Sequence, residues 1–347
     1  MILFSFAVPG RFGEWCDAII SRIAETALGS VLVVGANSAE EMATDLIRSE
    51  GSNFLVRGPQ PGPWLSQLLR TIEKPFTIAL NDPREAAFDL IFRHGLDMAD
   101  AVRRVGGSCA SMMACVALPG VLVLNASRDW HQPVRTAEMV ARHFGLALDN
   151  ESIERIIGEV AAAGLGPEAV PPEWLSDPRA ESVAQIVDGA VTPYVDHFLG
   201  APFGPITWSR ELLMADGHVP AIHAVDVTGR VRALLYGPYI GVPPGNWTAE
   251  VVLGFSHEAT EVNFVVDILV AGKQLCATSI QPAREGIYSI NLSFVIDEGN
   301  AHPLEFRVVN EKPAFDGRVA LGRITLTLQH DAPHLVGPLR EELGLAT

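Results

Sequence analysis

KPFTIALNDPREAAFD, Lys74 to Asp89, is the stretch that decides the fold of the first half of the chain. Phe76 to Leu80 is a short apolar run and reads as a buried strand. It ends in the turn-forming cluster Asn81-Asp82-Pro83, and a helix is expected from Arg84-Glu85 to residue 94. In a layered α/β domain such a strand-to-helix corner lies at the carboxyl edge of the sheet, where ligands bind.

The same alternation extends in both directions. Ile2–Val8, Val31–Val34, Phe54–Val56 and Val121–Leu124 are further apolar runs. Helical patterns separate them over 14–28, 39–48, 63–72 and 97–117, and follow them over 132–144 and 152–163, the last capped by Asp149. Strands with little polar alternation, separated by helices, imply a parallel sheet covered on both faces. Residues 1–165 therefore read as one α/β domain. Prolines 167, 171, 172, 178, 193, 202, 205 and 220 break up the next stretch. It reads as a connector, 166–220, with one helix over Val183–Phe198. From Ala221 the period changes to two. Strands are expected at 221–227, 231–236, 247–255, 263–270, 273–280, 286–294, 304–309 and 318–328, with Gly and Pro turns between them. Short alternating strands at this spacing imply an antiparallel β-sandwich over 221–330. Residues 331–347 read as a tail.

The chain has 347 residues, 48% of them hydrophobic, which is enough for two domains with real cores. A net charge of -16 repels phosphate backbones, so nucleic acid is not an expected partner. Four cysteines show neither CxxC nor paired metal spacing and read as reduced, buried thiols of a cytoplasmic protein. The first residues, MILFSFAVPGRF, lack a basic n-region. The nearly uncharged run Ser108–Asn125 is divided by Pro119-Gly120, so a helix followed by a buried strand explains it better than a membrane span.

Three segments carry a resemblance. Pro9-Gly10-Arg11-Phe12-Gly13-Glu14-Trp15 follows the first strand. Asn81-Asp82-Pro83-Arg84-Glu85-Ala86-Ala87-Phe88-Asp89 follows the central one. Val121-Leu122-Val123-Leu124 leads, after a turn, to a helix ending Val140-Ala141-Arg142-His143-Phe144-Gly145-Leu146. In this order they resemble the motifs of the sulfotransferase family, a P-loop-related α/β fold. There loop one reads P-[KR]-S-G-[ST]-T-W, the second element R-D-P-R-D-x-x-x-S, and the third a strand, an acidic turn and a helix ending F-L-G-L. The resemblance implies that Arg11, Gly13, Glu14, Asn81, Arg84 and Asp89 stand around the donor, a nucleotide sulfate with a 3′-phosphate. In the family an arginine opens the second motif, a serine closes it, and the two hold that phosphate. Here Asn81 and Asp89 stand in their places. Losing the guanidinium removes a charged, forked donor. A carboxylate beside a phosphate adds repulsion of about 1 kcal/mol at 4 Å in water. In loop one the hydroxyl positions are Phe12 and Glu14, and Glu14 at a helix N-terminus satisfies the dipole without a ligand.

A second resemblance covers the later half. Trp208-Ser209-Arg210, Thr228-Gly229-Arg230-Val231-Arg232 and Tyr236 to Trp247 look like a segment appended to bacterial glycan-biosynthesis proteins, and the strands after it are similar to carbohydrate-binding modules. Pro243-Pro244-Gly245 sets a tight turn. Trp208, Tyr239 and Trp247 are the candidate flat faces for a sugar ring; core packing is the other reading of them.

Other chemistries have less to stand on. There is no G-x-S-x-G for a serine hydrolase, and Val34-Gly35-Ala36-Asn37 falls far short of a dinucleotide-binding loop. The ten histidines are scattered, so no metal site is expected. His94 with Asp89 would make a general-base pair, yet five positions on an ideal helix leave them about 140° apart. His131, past the 121–124 strand, is a third candidate for catalysis.

The expected fold is therefore an α/β domain, sulfotransferase-like, with a parallel sheet and helices on both faces, followed by an all-β antiparallel sandwich. The expected function is carbohydrate-associated, in bacterial surface-polysaccharide biosynthesis, with a degenerate transferase domain and a glycan-recognising sandwich. One alternative is an active sulfotransferase using 3′-phosphoadenylyl sulfate; another is a scaffold of a glycosyltransferase complex. The partners implied are a glycan and either a second copy of the chain or a glycosyltransferase.

Overall fold

The structure, a computed structural model, describes residues 1–35, 38–48, 52–166, 171, 174, 176–297 and 302–329. The expected tail and the second half of Val34-Gly35-Ala36-Asn37 lie outside the described residues, as do Pro167 and Pro172.

The first half alternates as expected: β1 (Ile2–Ala7), α1 (Arg11–Leu28), β2 (Val31–Gly35), α2 (Ala39–Arg48), β3 (Asn53–Gly58), α3 (Pro63–Ile72), β4 (Phe76–Leu80), α4 (Pro83–Phe88), α5 (Met98–Val116), β5 (Val121–Asn125), α6 (Ala126–Asp129), α7 (Pro133–His143) and α8 (Asn150–Ala162). Among the described residues the strands form one parallel sheet in the order β2-β3-β1-β4-β5. Successive side chains of β1 go to opposite faces. Leu3 and Ala7 enter a core built with α1, α7 and α8, while Phe4 and Phe6 enter a second core on the other face. Both faces of the inner strands β1, β3 and β4 are thus covered, which is why they are apolar without alternation, whereas β2 at the sheet edge keeps Leu32 and Val33 exposed.

The helix expected over 84–94 is divided. α4 ends at Phe88 and a π-helical turn, Asp89–Arg93, follows. The 97–117 stretch is the single helix α5, capped by Asp97, whose carboxylate accepts from the Asp100 N–H at 2.8 Å.

The stretch expected to connect the halves supplies α9 (Ala180–Ala190) and α10 (Thr192–Phe198) in place of one helix, with Pro193 in the first turn of α10. From Ile206 it already contributes strands: β6 (Ile206–Ser209), β7 (Met214–Ala215) and β8 (Val219–Pro220). The strand expected over 221–227 is only β9 (Val225–Asp226). The other expected strands form as β10 (Ala233–Ile240), β11 (Gly245–Phe255), β12 (Phe264–Val270), β13 (Lys273–Ile280), β14 (Gly286–Ile296), β15 (Leu304–Asn310) and β16 (Arg318–Leu328). They make two antiparallel sheets, β13-β12-β15-β10-β7-β8 and β14-β11-β16-β6, with β9 beside β16. Alternate residues of β11, from Trp247 to Phe255, are buried between them. No helix among the described residues is long and apolar enough to cross a membrane. Cys16, Cys109 and Cys115 are buried, Cys276 is half-buried, and all four are free.

One apolar core runs from β4 through α5, α9 and α10 into both antiparallel sheets. At its seam Arg103 of α5 donates to the Leu212 carbonyl at 2.8 Å, and the buried Tyr194 hydroxyl of α10 donates to the Gly241 carbonyl. Replacing Tyr194 with Phe strands that carbonyl and is expected to lower stability by about 1–3 kcal/mol. Urea unfolding followed by far-UV circular dichroism and by tryptophan fluorescence should give one coincident transition in both proteins; two separate transitions would mean that the halves do not share a core.

Candidate functional site

The carboxyl edge of the parallel sheet is built around Asn81. Its side chain is 0% exposed and reaches from the end of β4 into the β1–α1 loop. Oδ1 accepts from the Phe12 N–H at 3.0 Å. Nδ2 donates to the Val8 carbonyl at 2.7 Å and to the Pro9 carbonyl at 2.9 Å. A Cβ on Gly10 would lie 2.9 Å from Asn81 Nδ2, and one on Gly13 would lie 2.5 Å from the Val8 oxygen. Both glycines are thus accounted for by close packing within the loop.

The cations at this edge have carboxylate partners. Arg84 forks onto Asp188 of α9, with Nε donating to Oδ1 at 2.7 Å and Nη2 to Oδ2. Arg11 lies 3.6 Å from Glu85, donates to the Gly166 carbonyl at 3.5 Å and sits over the Trp130 ring, 5.3 Å from its centroid. Burial pushes the Glu85 carboxyl up from its ordinary range, and Arg11 opposes the shift. Asp82 caps α4, accepting from the Arg84 and Glu85 N–H groups, both at 2.9 Å. These N–H groups are what an anion at a helix N-terminus would use. A cleft of about 300 Å³ opens here, lined by Asn81, Asp82, Arg84, Asn125, Ser127 and Asp188 among others. Its charged lining is mainly acidic.

Asp89 and His94 do meet, contrary to the 140° expectation. The π-turn closes with the His94 N–H donating to the Asp89 carbonyl at 3.3 Å, an i→i+5 bond that brings residues five apart back to one side. His94 Nε2 lies 3.5 Å from Asp89 Oδ2 and 3.9 Å from Glu14 Oε1. Arg93 reaches Glu14 Oε2 at 2.8 Å and Asp89 Oδ1 at 3.5 Å. Burial raises the Asp89 carboxyl; Arg93 opposes this and Glu14 adds to it. His131 stands apart, exposed on the turn between α6 and α7.

The aromatic candidates separate into two kinds. Trp208 and Trp247 are each 1% exposed and form part of the shared core. Phe203 packs edge-on to Trp247, whose indole N–H donates to the Pro243 carbonyl at 3.0 Å. Neither ring has a free face, so the expectation that they stack on a sugar is corrected: they are interior packing. Tyr239 is 37% exposed, and its hydroxyl donates to Glu305 Oε1 at 3.1 Å. Burial and the Glu305 carboxylate push its phenol up to about 12, so it stays protonated at neutral pH. Tyr236 Oη lies 2.7 Å from His218 Nδ1. Across the sheet from Tyr236, Arg307 forks onto Asp267 at 3.0 and 2.7 Å.

Asp188, Arg93 and Glu305 escaped the sequence reading. Asp188 is 104 positions from Arg84, and no local pattern joins them.

No protein-family model matches the chain, and no curated protein matches it. Among solved structures, a mouse sulfotransferase, SULT7A1, complexed with PAP is similar over 56% of this chain and 78% of its own, with 11% identity and a TM-score of 0.36. The carbohydrate-binding module TmCBM61, complexed with β-1,4-galactotriose, is similar over 30% of this chain and 70% of its own, with 12% identity and a TM-score of 0.24. The C-terminal CBM6 of LamC from Zobellia galactanivorans is similar over 36% of this chain and 99% of its own, with 10% identity and a TM-score of 0.23.

Asn81→Ala leaves one N–H and two carbonyls in the loop without their partner. A loss of about 2–4 kcal/mol is expected in urea unfolding, against about 1 kcal/mol for the exposed cap variant Asp82→Ala. Equal losses would show that the Asn81 bridge does not hold the loop.

Proposed function

We propose that this chain is a carbohydrate-associated protein of bacterial surface-polysaccharide biosynthesis. On this reading its parallel-sheet half is degenerate as a donor site, and its antiparallel half recognises a glycan. The observation that carries the first part is the Asn81 bridge. In the resemblance noted above, this position belongs to an arginine that holds the 3′-phosphate. Here a neutral side chain faces inward and satisfies the loop's own backbone groups. Arg84 is paired with Asp188, and Asp82 occupies the α4 N-terminus. A doubly charged phosphate would have to displace a carboxylate and would meet Asp89 as well.

The second part rests on Tyr239 and its neighbours. Sugars present C–H faces that lie flat on aromatic rings, and hydroxyls that pair with carboxylates and guanidinium groups. With Trp208 and Trp247 buried, Tyr239 is the candidate ring with an accessible face, and Glu305 is already hydrogen-bonded to it. Tyr236 and Arg307 continue the polar surface along the sheet, with Arg307 held by the buried Asp267.

Calorimetry with adenosine 3′,5′-bisphosphate is expected to show no binding at micromolar concentrations. Micromolar binding that disappears in Arg11→Ala would instead favour an active sulfotransferase. On a glycan array the full chain is expected to bind at least one sugar class, with the signal falling at least tenfold in Tyr239→Ala. Absence of signal for every glycan would leave a scaffold role in place of recognition.

A further inference from the structure

We propose that Glu14, Asp89 and His94 bind a divalent first-row transition-metal ion, with Zn²⁺ as the best fit. Two elements supply the three donors: the first turn of α1 gives Glu14, and the π-turn gives Asp89 at its start and His94 at its close. Each of Glu14, Asp89 and His94 offers a ligand atom within 4.8 Å of the others. His94 Nε2 is 3.5 Å from Asp89 Oδ2 and 3.9 Å from Glu14 Oε1. An ion bonded at about 2.0–2.2 Å to nitrogen and oxygen sets neighbouring donors roughly 3–4 Å apart, which these distances meet.

The independent observation is at Asp89. Its side chain is 0% exposed, yet Oδ2 accepts no hydrogen bond. A buried carboxylate oxygen normally has a donor, and one without needs a reason. Oδ2 faces His94 Nε2 across a gap longer than a hydrogen bond between them would leave. A cation between the two atoms would satisfy both. Arg93 does not block it. Its guanidinium takes Glu14 Oε2 at 2.8 Å and Asp89 Oδ1 at 3.5 Å, which leaves the other oxygen of each carboxylate for the ion. Ligating carboxylates are commonly held from behind in this way.

The charge and access also suit a cation. Two carboxylates against one guanidinium leave a local excess of one negative charge. The His94 side chain is 45% exposed, so an ion has a route in and solvent can complete its coordination. An imidazole with two carboxylates selects transition ions over Mg²⁺ or Ca²⁺, which take oxygen sets. The π-turn is what creates the site, since π-turns within helices are rare and cluster at functional positions.

The test uses the full chain, stripped with chelator and titrated calorimetrically with Zn²⁺ and separately with Mg²⁺. One Zn²⁺ per chain is expected at micromolar affinity or tighter, with no Mg²⁺ binding. Affinity should fall at least tenfold in His94→Ala, an exposed position that does not threaten folding, and in the near-isosteric Asp89→Asn. It should be unchanged in His257→Ala, a control at an exposed position opening a 3-10 helix. Absence of stoichiometric Zn²⁺ binding by the wild-type chain, or equal binding by His94→Ala, would overturn the proposal and leave an internal ion-pair network.

Discussion

A single buried carboxamide sets the geometry of the parallel-sheet edge. Asn81 is short, neutral and able to both donate and accept, so one side chain can satisfy an N–H and two carbonyls at once. An arginine could donate to the carbonyls but could not accept from Phe12. The loop therefore closes on its own chain. Gly10 and Gly13 follow from that closure, because any side chain there would run into Asn81 or the Val8 oxygen. α1 begins at Arg11 as a result, and its first turn presents Glu14 toward the π-turn.

Around that bridge, charge is neutralised locally. Arg84 has Asp188, Arg11 has Glu85, Arg93 has Glu14, and Arg128 has Asp129. Of these, the exposed pairs Arg84–Asp188 and Arg93–Glu14 contribute little to stability. Their consequence is competitive: an incoming anion gains a guanidinium only by releasing the carboxylate already on it. In a chain of net charge -16 the surroundings do not compensate for that loss. The proposed loss of donor binding rests on this competition.

What could be read from the sequence was whatever depends on local pattern. Continuous apolar runs identified β1 and β4, because burial on both faces leaves no polar alternation to see; the same kind of apolar run identified β5 at the sheet edge. The β10–β16 strands were legible from the period of two. β6, β7 and β8 were hidden by prolines 202, 205 and 220, which end short strands as readily as they mark loops. The replacement of the expected arginine by Asn81 was plain, but not that its amide would turn inward. Trp208 and Trp247 could not be assigned either, since a tryptophan next to a proline turn looks the same whether its ring is covered or open. Only the packing of Phe203 and the shared core decides it.

The π-turn shows the same limit at the scale of one residue. An ideal helix through Asp89-Leu90-Ile91-Phe92-Arg93-His94 would keep Asp89 and Arg93 on one side and turn His94 away. Leu90 and Ile91 are buried against the core, and the Asp89 carboxylate is buried beside them. Widening the turn by one residue keeps all three in place and carries His94 back over Asp89. Nothing in those six letters encodes the widening, because it is imposed by what packs on either side. The residue pair that periodicity separated is the one that tertiary packing joined, and Glu14 completes it only because the Asn81 bridge fixes where α1 begins.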